Sequence, residues 1–369
     1  MTFESRYSRL DRLLHDLAFH GMTAQRTLAE IEDRLYARRV AGIDIARPVF
    51  ITALPRAGTT LLLEVLGAQL DFAAHSYRQM PFLLCPLLWD RMSRHFRRAA
   101  ELRERAHGDG MAVGYDSLEA FEEVLWRVFW PEKYRRDRIV PWRAVEEDAA
   151  GEFADFFKGH MRKLIALRAD DCDPPARYLS KNNANIARLG TLRRLFPDAV
   201  VLVPFRNPLD HAASMLRQHA RFLELHAADP FTRRYMESIG HFEFGAALRP
   251  IDFAGWLDEA AGLWPDGLDF WLEYWCRAYE HALGDAAQDV HWLDYDACCT
   301  APGPALERIA EVLRLADPGA LLAQAGRFRA PVRYDPAPEA AAARLVRAAA
   351  LHDRLRAAAA TAGERREAI

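Results

Sequence analysis

A tight turn carrying a glycine, a cation and two hydroxyls is equipped to hold an anion, and residues 55–60 read Pro-Arg-Ala-Gly-Thr-Thr. PVFITAL (48–54), a short apolar run with β-branched residues, comes before them, and the apolar helix-like run LLLEVLGAQL comes after. Gly58 lets the backbone turn sharply, so that the N–H groups of Ala57 through Thr60 point at an anion seated on the helix dipole. Thr59 and Thr60 add hydroxyl donors, and Arg56 adds a fixed positive charge. The loop suits a phosphate or sulfate ester, although the same turn also serves as a plain strand-to-helix connection. The Gly-x4-Gly-Lys-Ser/Thr pattern of metal-dependent triphosphate binding is missing, because the basic residue precedes the glycine.

A second constellation lies in VLVPFRNPLDHAASML. Arg206 ends a buried apolar run, Asn207 is a good helix cap, and Pro208 suits the first helical position. Ser214 follows Asn207 by about two helical turns, so both share a face. Arg206 and Ser214 are thus placed to grip one phosphate from two sides. The plainer alternative is a capped helix with a salt-bridging arginine and a serine bonded to its own backbone.

These residues need strands and helices to position them. Residues 48–54, 177–181 (RYLSK), 199–205 (AVVLVPF) and 290–295 (VHWLDY) read as strands of a buried sheet. Residues 186–196 and 305–315 read as helices, and APGP (301–304) reads as a turn. The first forty residues carry helical periodicity through Leu10, Leu13, Leu14 and Leu17. Residues 82–168 and 215–286 are helix-rich, and the tail beyond Pro338 is helical. The expected fold is α/β, with a P-loop-like central parallel sheet flanked by helices and large helical insertions, in a single domain spanning 1–369. His211 and His219 offer no metal spacing, and the Trp-rich stretch 256–275, with Trp256, Trp264, Trp271 and Trp275, reads as core.

Composition bounds the function. With 51% hydrophobic and 27% charged residues, the chain is a folded protein rather than a disordered one. Forty-nine Lys+Arg against 52 Asp+Glu leave a formal charge of −3. That balance supplies no basic footprint for nucleic acid and no general attraction to anionic membranes, so any anion site is local. Cys85, Cys172, Cys276, Cys298 and Cys299 are scattered, without a Cys-x-x-Cys pair, which points to a reducing compartment and no disulfide framework. Neither a signal-type apolar core nor an apolar membrane-span window is readable, so a cytoplasmic location and no membrane span are expected.

PRAGTTLL after one strand and RNPLDHAAS after a later one resemble the sulfotransferases that use 3′-phosphoadenosine 5′-phosphosulfate. The likeness implies that Arg56, Ala57, Gly58, Thr59 and Thr60 bind the 5′-phosphosulfate. It implies that Arg206 and Ser214 bind the 3′-phosphate. VHWLDYDACC is similar to the family's later strand and Tyr-acid segment, which would place Tyr295 near the nucleotide. The resemblance covers roughly residues 48–70, 177–220 and 288–315. Two departures stand out. Arg56 occupies a position where many members have Lys, and a planar guanidinium is not interchangeable with an ammonium. The adenine-binding Gly-Asp-Trp-Lys-type segment of the cytosolic phenol and steroid enzymes is absent, which disfavours small phenols and steroids as acceptors. The bacterial and tyrosylprotein-type branches are closer.

Within that resemblance Lys181 takes the place of the catalytic lysine, beside the oxygen that leaves sulfur. Such a transfer needs alignment and charge stabilisation rather than a covalent intermediate. The acceptor base is open. Some members place a His two residues after the lysine, but that position here is Asn183, which takes no proton at neutral pH. Tyrosylprotein-type members carry a Glu before Arg-x-x-Pro; Arg78 and Pro81 match that pattern, and Ser76 stands at the Glu position. His75 is adjacent and titrates near neutrality when unperturbed. His107 in HGDG, Glu119, Glu122 and Glu123 are rivals, and Arg78 is a candidate acceptor-binding residue. The resemblance implies transfer of a sulfuryl group to a hydroxyl or amine of a small-molecule, peptide or glycan acceptor, with no metal. The competing functions are a P-loop kinase or other nucleotide phosphotransferase, and a non-catalytic nucleotide-binding relative.

Overall fold

Parallel strands cannot be joined by tight hairpins, so each crossover spends a helix or a long connection, and this chain alternates accordingly. The computed structural model describes residues 9–20, 22–93, 103–104, 112–113, 117–142, 150–168, 176–260, 262–286, 290–330, 333 and 340–367. Five strands form the central sheet: β1 (Val49–Ile51), β2 (Phe72–Ala73), β3 (Arg177–Lys181), β4 (Val200–Phe205) and β5 (His291–Asp294). Their spatial order is β2-β3-β1-β4-β5, and every neighbouring pair is parallel. In register, Ile51 lies beside Lys181 on one side and Leu202 on the other. The C-terminal ends of β3, β1 and β4 therefore open on one edge, where open α/β sheets carry their sites.

Alternation along the strands divides the core in two. Val49 and Ile51 face one layer with Leu179 and Leu202, while Phe50 faces the other with Tyr178, Val201 and Val203. The first layer is closed by α3 (Thr59–Gly67) and α8 (Pro302–Leu313), through Leu62, Leu66, Ile309 and Leu313. The second is covered by α5 (Ala150–Arg168), α6 (Pro208–Ala228), α7 (Leu268–Ala286) and α9 (Ala342–Glu367). At the N-terminus α1 (Arg9–His20) and α2 (Met22–Leu35) precede the sheet. α2 is tied to α5 by Lys163, which meets Glu32 at 2.9 Å and Asp33 at 2.8 Å. In the tail, Arg347 of α9 clasps Glu273 and Glu280 of α7.

Several readings change in detail. APGP is not a separate turn: Pro302 opens α8, where its missing N–H costs nothing. Residues 82–168 are only partly helical. Besides α5 and α4 (Glu123–Phe129) they hold a helix at Pro86–Ser93 and a two-stranded ribbon pairing 103–104 with 112–113. The segment after β3 coils first as a 3-10 helix, Asn183–Ala187, capped by the Asn182 side chain, before the helix Leu189–Leu195. Trp256, Trp271 and Trp275 are fully buried, but Trp264, beside Pro265 in the loop before α7, is 70% exposed.

Candidate functional site

At the end of β1 the chain turns through two left-handed residues, Arg56 at φ 74° and Gly58 at φ 85°. Gly58 has a second reason to lack a side chain: a Cβ there would lie 2.1 Å from Cε2 of Tyr295. Tyr295 follows β5, so the loop's tight shape is held by an element 237 positions further along the chain. α3 starts at Thr59, and its first-turn N–H groups lack partners within the helix itself. A loop drawn this close to its support leaves the backbone donors of one helix N-terminus beside Thr59 and Thr60, an arrangement able to receive an anion.

The second constellation docks directly onto the first. At the end of β4, Arg206 is 7% exposed, and its Nη1 donates to the carbonyl of Arg56 at 3.1 Å. Arg56 Nε in turn reaches the Ser214 hydroxyl at 3.4 Å. Asp296 aims Arg206, accepting from its Nε at 3.4 Å, and also accepts from the backbone N–H of Asn207 at 2.6 Å. The Asn207 side chain caps α6 by accepting from the N–H groups of Leu209 and Asp210. Arg217, one turn beyond Ser214, belongs to the same cluster: burial first, then the Arg56 and Arg206 guanidiniums, hold its pKa below the usual range. Arg217 did not stand out in the sequence, and Asp296 is the acid of the Tyr-acid segment.

His211 is a strut between these parts. Trp275 Nε1 donates to its Nδ1 at 3.2 Å, so Nε2 carries the proton and donates to the Pro55 carbonyl at 2.8 Å. Burial, with the Arg206 charge second, pushes its pKa down to about 3. The imidazole is therefore neutral, and it fixes the loop's entry to the α6 wall.

Lys181, the last residue of β3, is 8% exposed and lines a cleft with Leu54, Pro55, Asn183, Glu243 and Tyr274. Asn183 bridges this cleft and the Gly58 loop. Its Oδ1 accepts from the Thr59 hydroxyl at 3.5 Å, and its Nδ2 donates to Glu243 at 2.9 Å. Glu243 is half-buried and sits in a 239–251 segment that carries no readable motif. Only folding brings it to Lys181.

The residues considered as acceptor base lie elsewhere or are already engaged. His75 is 2% exposed, its Nε2 lies 2.8 Å from that of His160, and burial pushes its pKa down to about 3. It does not line the cleft. Ser76, at the position where a Glu was sought, caps the 3-10 helix Tyr77–Gln79 in a reciprocal box with Gln79. Arg78 on that helix is exposed, also outside the cleft lining. Glu119 accepts from the Tyr77 hydroxyl and the Ala120 N–H, both at 2.8 Å. Glu122 receives Trp126, Tyr178, Asn182 and Asn185. Glu123 pairs with buried Arg188 and accepts from Asn182 at 2.7 Å, so it contributes to the cleft wall as a member of that network. His107 lies outside the described residues.

Among the described residues, no group of three or more His, Cys, Asp or Glu side chains could hold a metal ion, and no helix is long and apolar enough to cross a membrane. In overall fold the chain is similar to the sulfotransferase STF9 from Mycobacterium avium, with a TM-score of 0.51 at 14% identity over 90% of this chain and 80% of that one. A weaker likeness is to the sulfotransferase STF1 from Mycobacterium tuberculosis H37Rv, with a TM-score of 0.46 at 16% identity over 88% and 82%. A comparison with curated protein sequences finds no match. The description "Sulfotransferase family" matches residues 48–318, a span that opens one residue before β1 and contains the Gly58 loop, Lys181, Arg206, Ser214 and Tyr295. The chain belongs to the sulfotransferase family.

Proposed function

We propose that the protein transfers the sulfuryl group of 3′-phosphoadenosine 5′-phosphosulfate to a hydroxyl or amine acceptor by in-line displacement. The observation that carries this reading is the contact of Arg56 with both halves of the second constellation, Arg206 through its carbonyl and Ser214 through its side chain. Two anion-holding motifs lying 150 positions apart form one site, as a cofactor with phosphate groups at both ends requires. The residues suit that cofactor. Gly58 leaves room only for backbone against the Tyr295 ring, and the donors nearby are guanidiniums, hydroxyls and helix N–H groups. The loop would hold the 5′ end, and Arg206 and Ser214 the 3′-phosphate. Tyr295 would sit beside the nucleotide, and Lys181 would stabilise charge on the departing oxygen.

The helical regions 82–168 and 215–286 would form the acceptor side. The cleft walls at Ala120, Glu123 and Ile139, and at 240–251, come from them. The acceptor would be a small molecule, peptide or glycan. A thermal-shift comparison tests the reading, because a ligand selective for the folded state raises apparent stability. Adenosine 3′,5′-bisphosphate should raise the melting temperature, whereas ATP with magnesium should do so weakly or not at all. The reverse order would favour a phosphotransferase.

A further inference from the structure

The cleft beside Lys181 contains one carboxylate that differs from every other near it. Glu122 receives four donors, Glu123 is paired with a buried guanidinium, and Glu119 receives two donors away from the cleft. Their oxygens are occupied by donors, which leaves little room for an acceptor hydroxyl to approach. Among the described residues, Glu243 receives a single donor, the neutral amide of Asn183 at 2.9 Å. Its remaining acceptor capacity lies in the cleft that Lys181 also lines.

The orientation of that amide follows from its neighbours. Asn183 Oδ1 faces the Thr59 hydroxyl, a donor, so Nδ2 faces the Glu243 carboxylate, an acceptor. One side chain thus links the anion loop, the strand end bearing Lys181 and the carboxylate. The cleft wall is mixed: Leu54, Ile139, Phe242, Leu248, Ile251 and Tyr274 supply apolar surface, and Asn182, His241 and Arg249 supply polar groups.

Resting on the sulfuryl-transfer reading, we propose that Glu243 is the base that takes the proton from a neutral hydroxyl acceptor, with Asn183 as its positioning residue. The acceptor oxygen forms the new bond to sulfur, and its proton passes to a Glu243 carboxylate oxygen. The bond from sulfur to the bridging oxygen breaks, and its electron pair leaves with the 5′-phosphate beside the Lys181 ammonium. Glu243 then returns its proton to solvent, so no oxidant, reductant or metal enters the balance.

The test uses the full chain, 3′-phosphoadenosine 5′-phosphosulfate as donor, and two small alcohols: benzyl alcohol, and the more acidic 2,2,2-trifluoroethanol, which needs less help to shed its proton. Glu243→Gln keeps the shape and can still accept from Asn183, but it takes no proton. With benzyl alcohol, Glu243→Gln should lower kcat by about 100-fold or more, the usual worth of a general base, with the KM for donor little changed. With 2,2,2-trifluoroethanol the loss should shrink to under about 10-fold, since a more acidic hydroxyl depends less on the base. Asn183→Ala should show the same contrast between the two alcohols at smaller amplitude. Calorimetry with adenosine 3′,5′-bisphosphate should give parental affinity for Glu243→Gln, which also establishes that the variant is folded. Equal losses with both alcohols, an undiminished kcat, or a parent enzyme that binds nucleotide yet sulfates neither alcohol would each overturn the assignment. Failure of the parent to bind the bisphosphate would instead sink the sulfuryl-transfer reading beneath it.

Discussion

Replacing Gly58 with alanine tests how the anion loop is held, because the cost divides into two parts with different owners. The first is local. At φ 85° an L-residue carries a penalty of about 1–2 kcal/mol that no neighbour can relieve. The second is steric. The new methyl would lie 2.1 Å from Tyr295 Cε2 and 2.4 Å from both Cδ2 and Cζ, so the ring or the loop must shift. Overpacking of this kind costs about 1–3 kcal/mol. Gly58→Ala should therefore destabilise the fold by about 2–5 kcal/mol in sum. In a Tyr295→Ala background only the local part should remain, leaving a coupling energy of about 1–3 kcal/mol between the positions. Urea denaturation of the four proteins of the cycle measures that coupling. Calorimetry on the same set should show nucleotide affinity falling with Gly58→Ala, since the loop's N–H groups move with the backbone. A Gly58→Ala cost that is identical with and without the Tyr295 ring would refute the reasoning, because the ring would then not be what holds the turn.

Arg206→Ala should weaken binding of adenosine 3′,5′-bisphosphate by about 1.5–3 kcal/mol, the range for hydrogen bonds to charged groups; unchanged calorimetric affinity would remove Arg206 from the site. Lys181→Ala should lower turnover more than nucleotide binding, and equal losses in steady-state and binding measurements would make it a binding residue only. Stability should fall on mild acidification. His75 and His211 are buried neutral with folded pKa values near 3, so below pH 6.5 the unfolded chain binds protons that the native state refuses. Stability is thus complete at neutral pH and is lost as pH falls from about 6.5 toward 3, by about 2 kcal/mol per such histidine at pH 5. Urea midpoints at pH 7 and pH 5 measure this, and His211→Gln should flatten the dependence; an unaltered slope would mean that His211 does not stay neutral in the fold.

The local units of the site were legible because their causes lie within a few residues. A β-branched apolar run ending at a glycine turn becomes strand, loop and helix whatever surrounds it, and Asn207-Pro208 starts a helix by capping and by a preset φ. The strand at 177–181 was readable in the same way, which put Lys181 at its C-terminal end. The base candidates behaved differently. His75 is an ordinary polar residue in sequence, yet in the fold it lies sealed between His160, Phe121 and Tyr178. Ser76 stands where tyrosylprotein-type members carry a Glu, and it works as a cap. Glu243 passed unnoticed because HFEFG has no spacing that marks it.

By itself the sequence determined four of the five strands of the central sheet, the helices that follow the Gly58 turn and the Asn207 cap, and the absence of a triphosphate-type lysine loop, all of which depend on backbone sterics and short-range periodicity. Tertiary structure alone decided that Arg56 touches Ser214, that Tyr295 closes over Gly58, and that Asn183 presents Glu243 to the cleft beside Lys181. Those contacts join residues from 60 to 237 positions apart. Such pairings are set by which buried faces pack together across the parallel sheet, and no local preference encodes them.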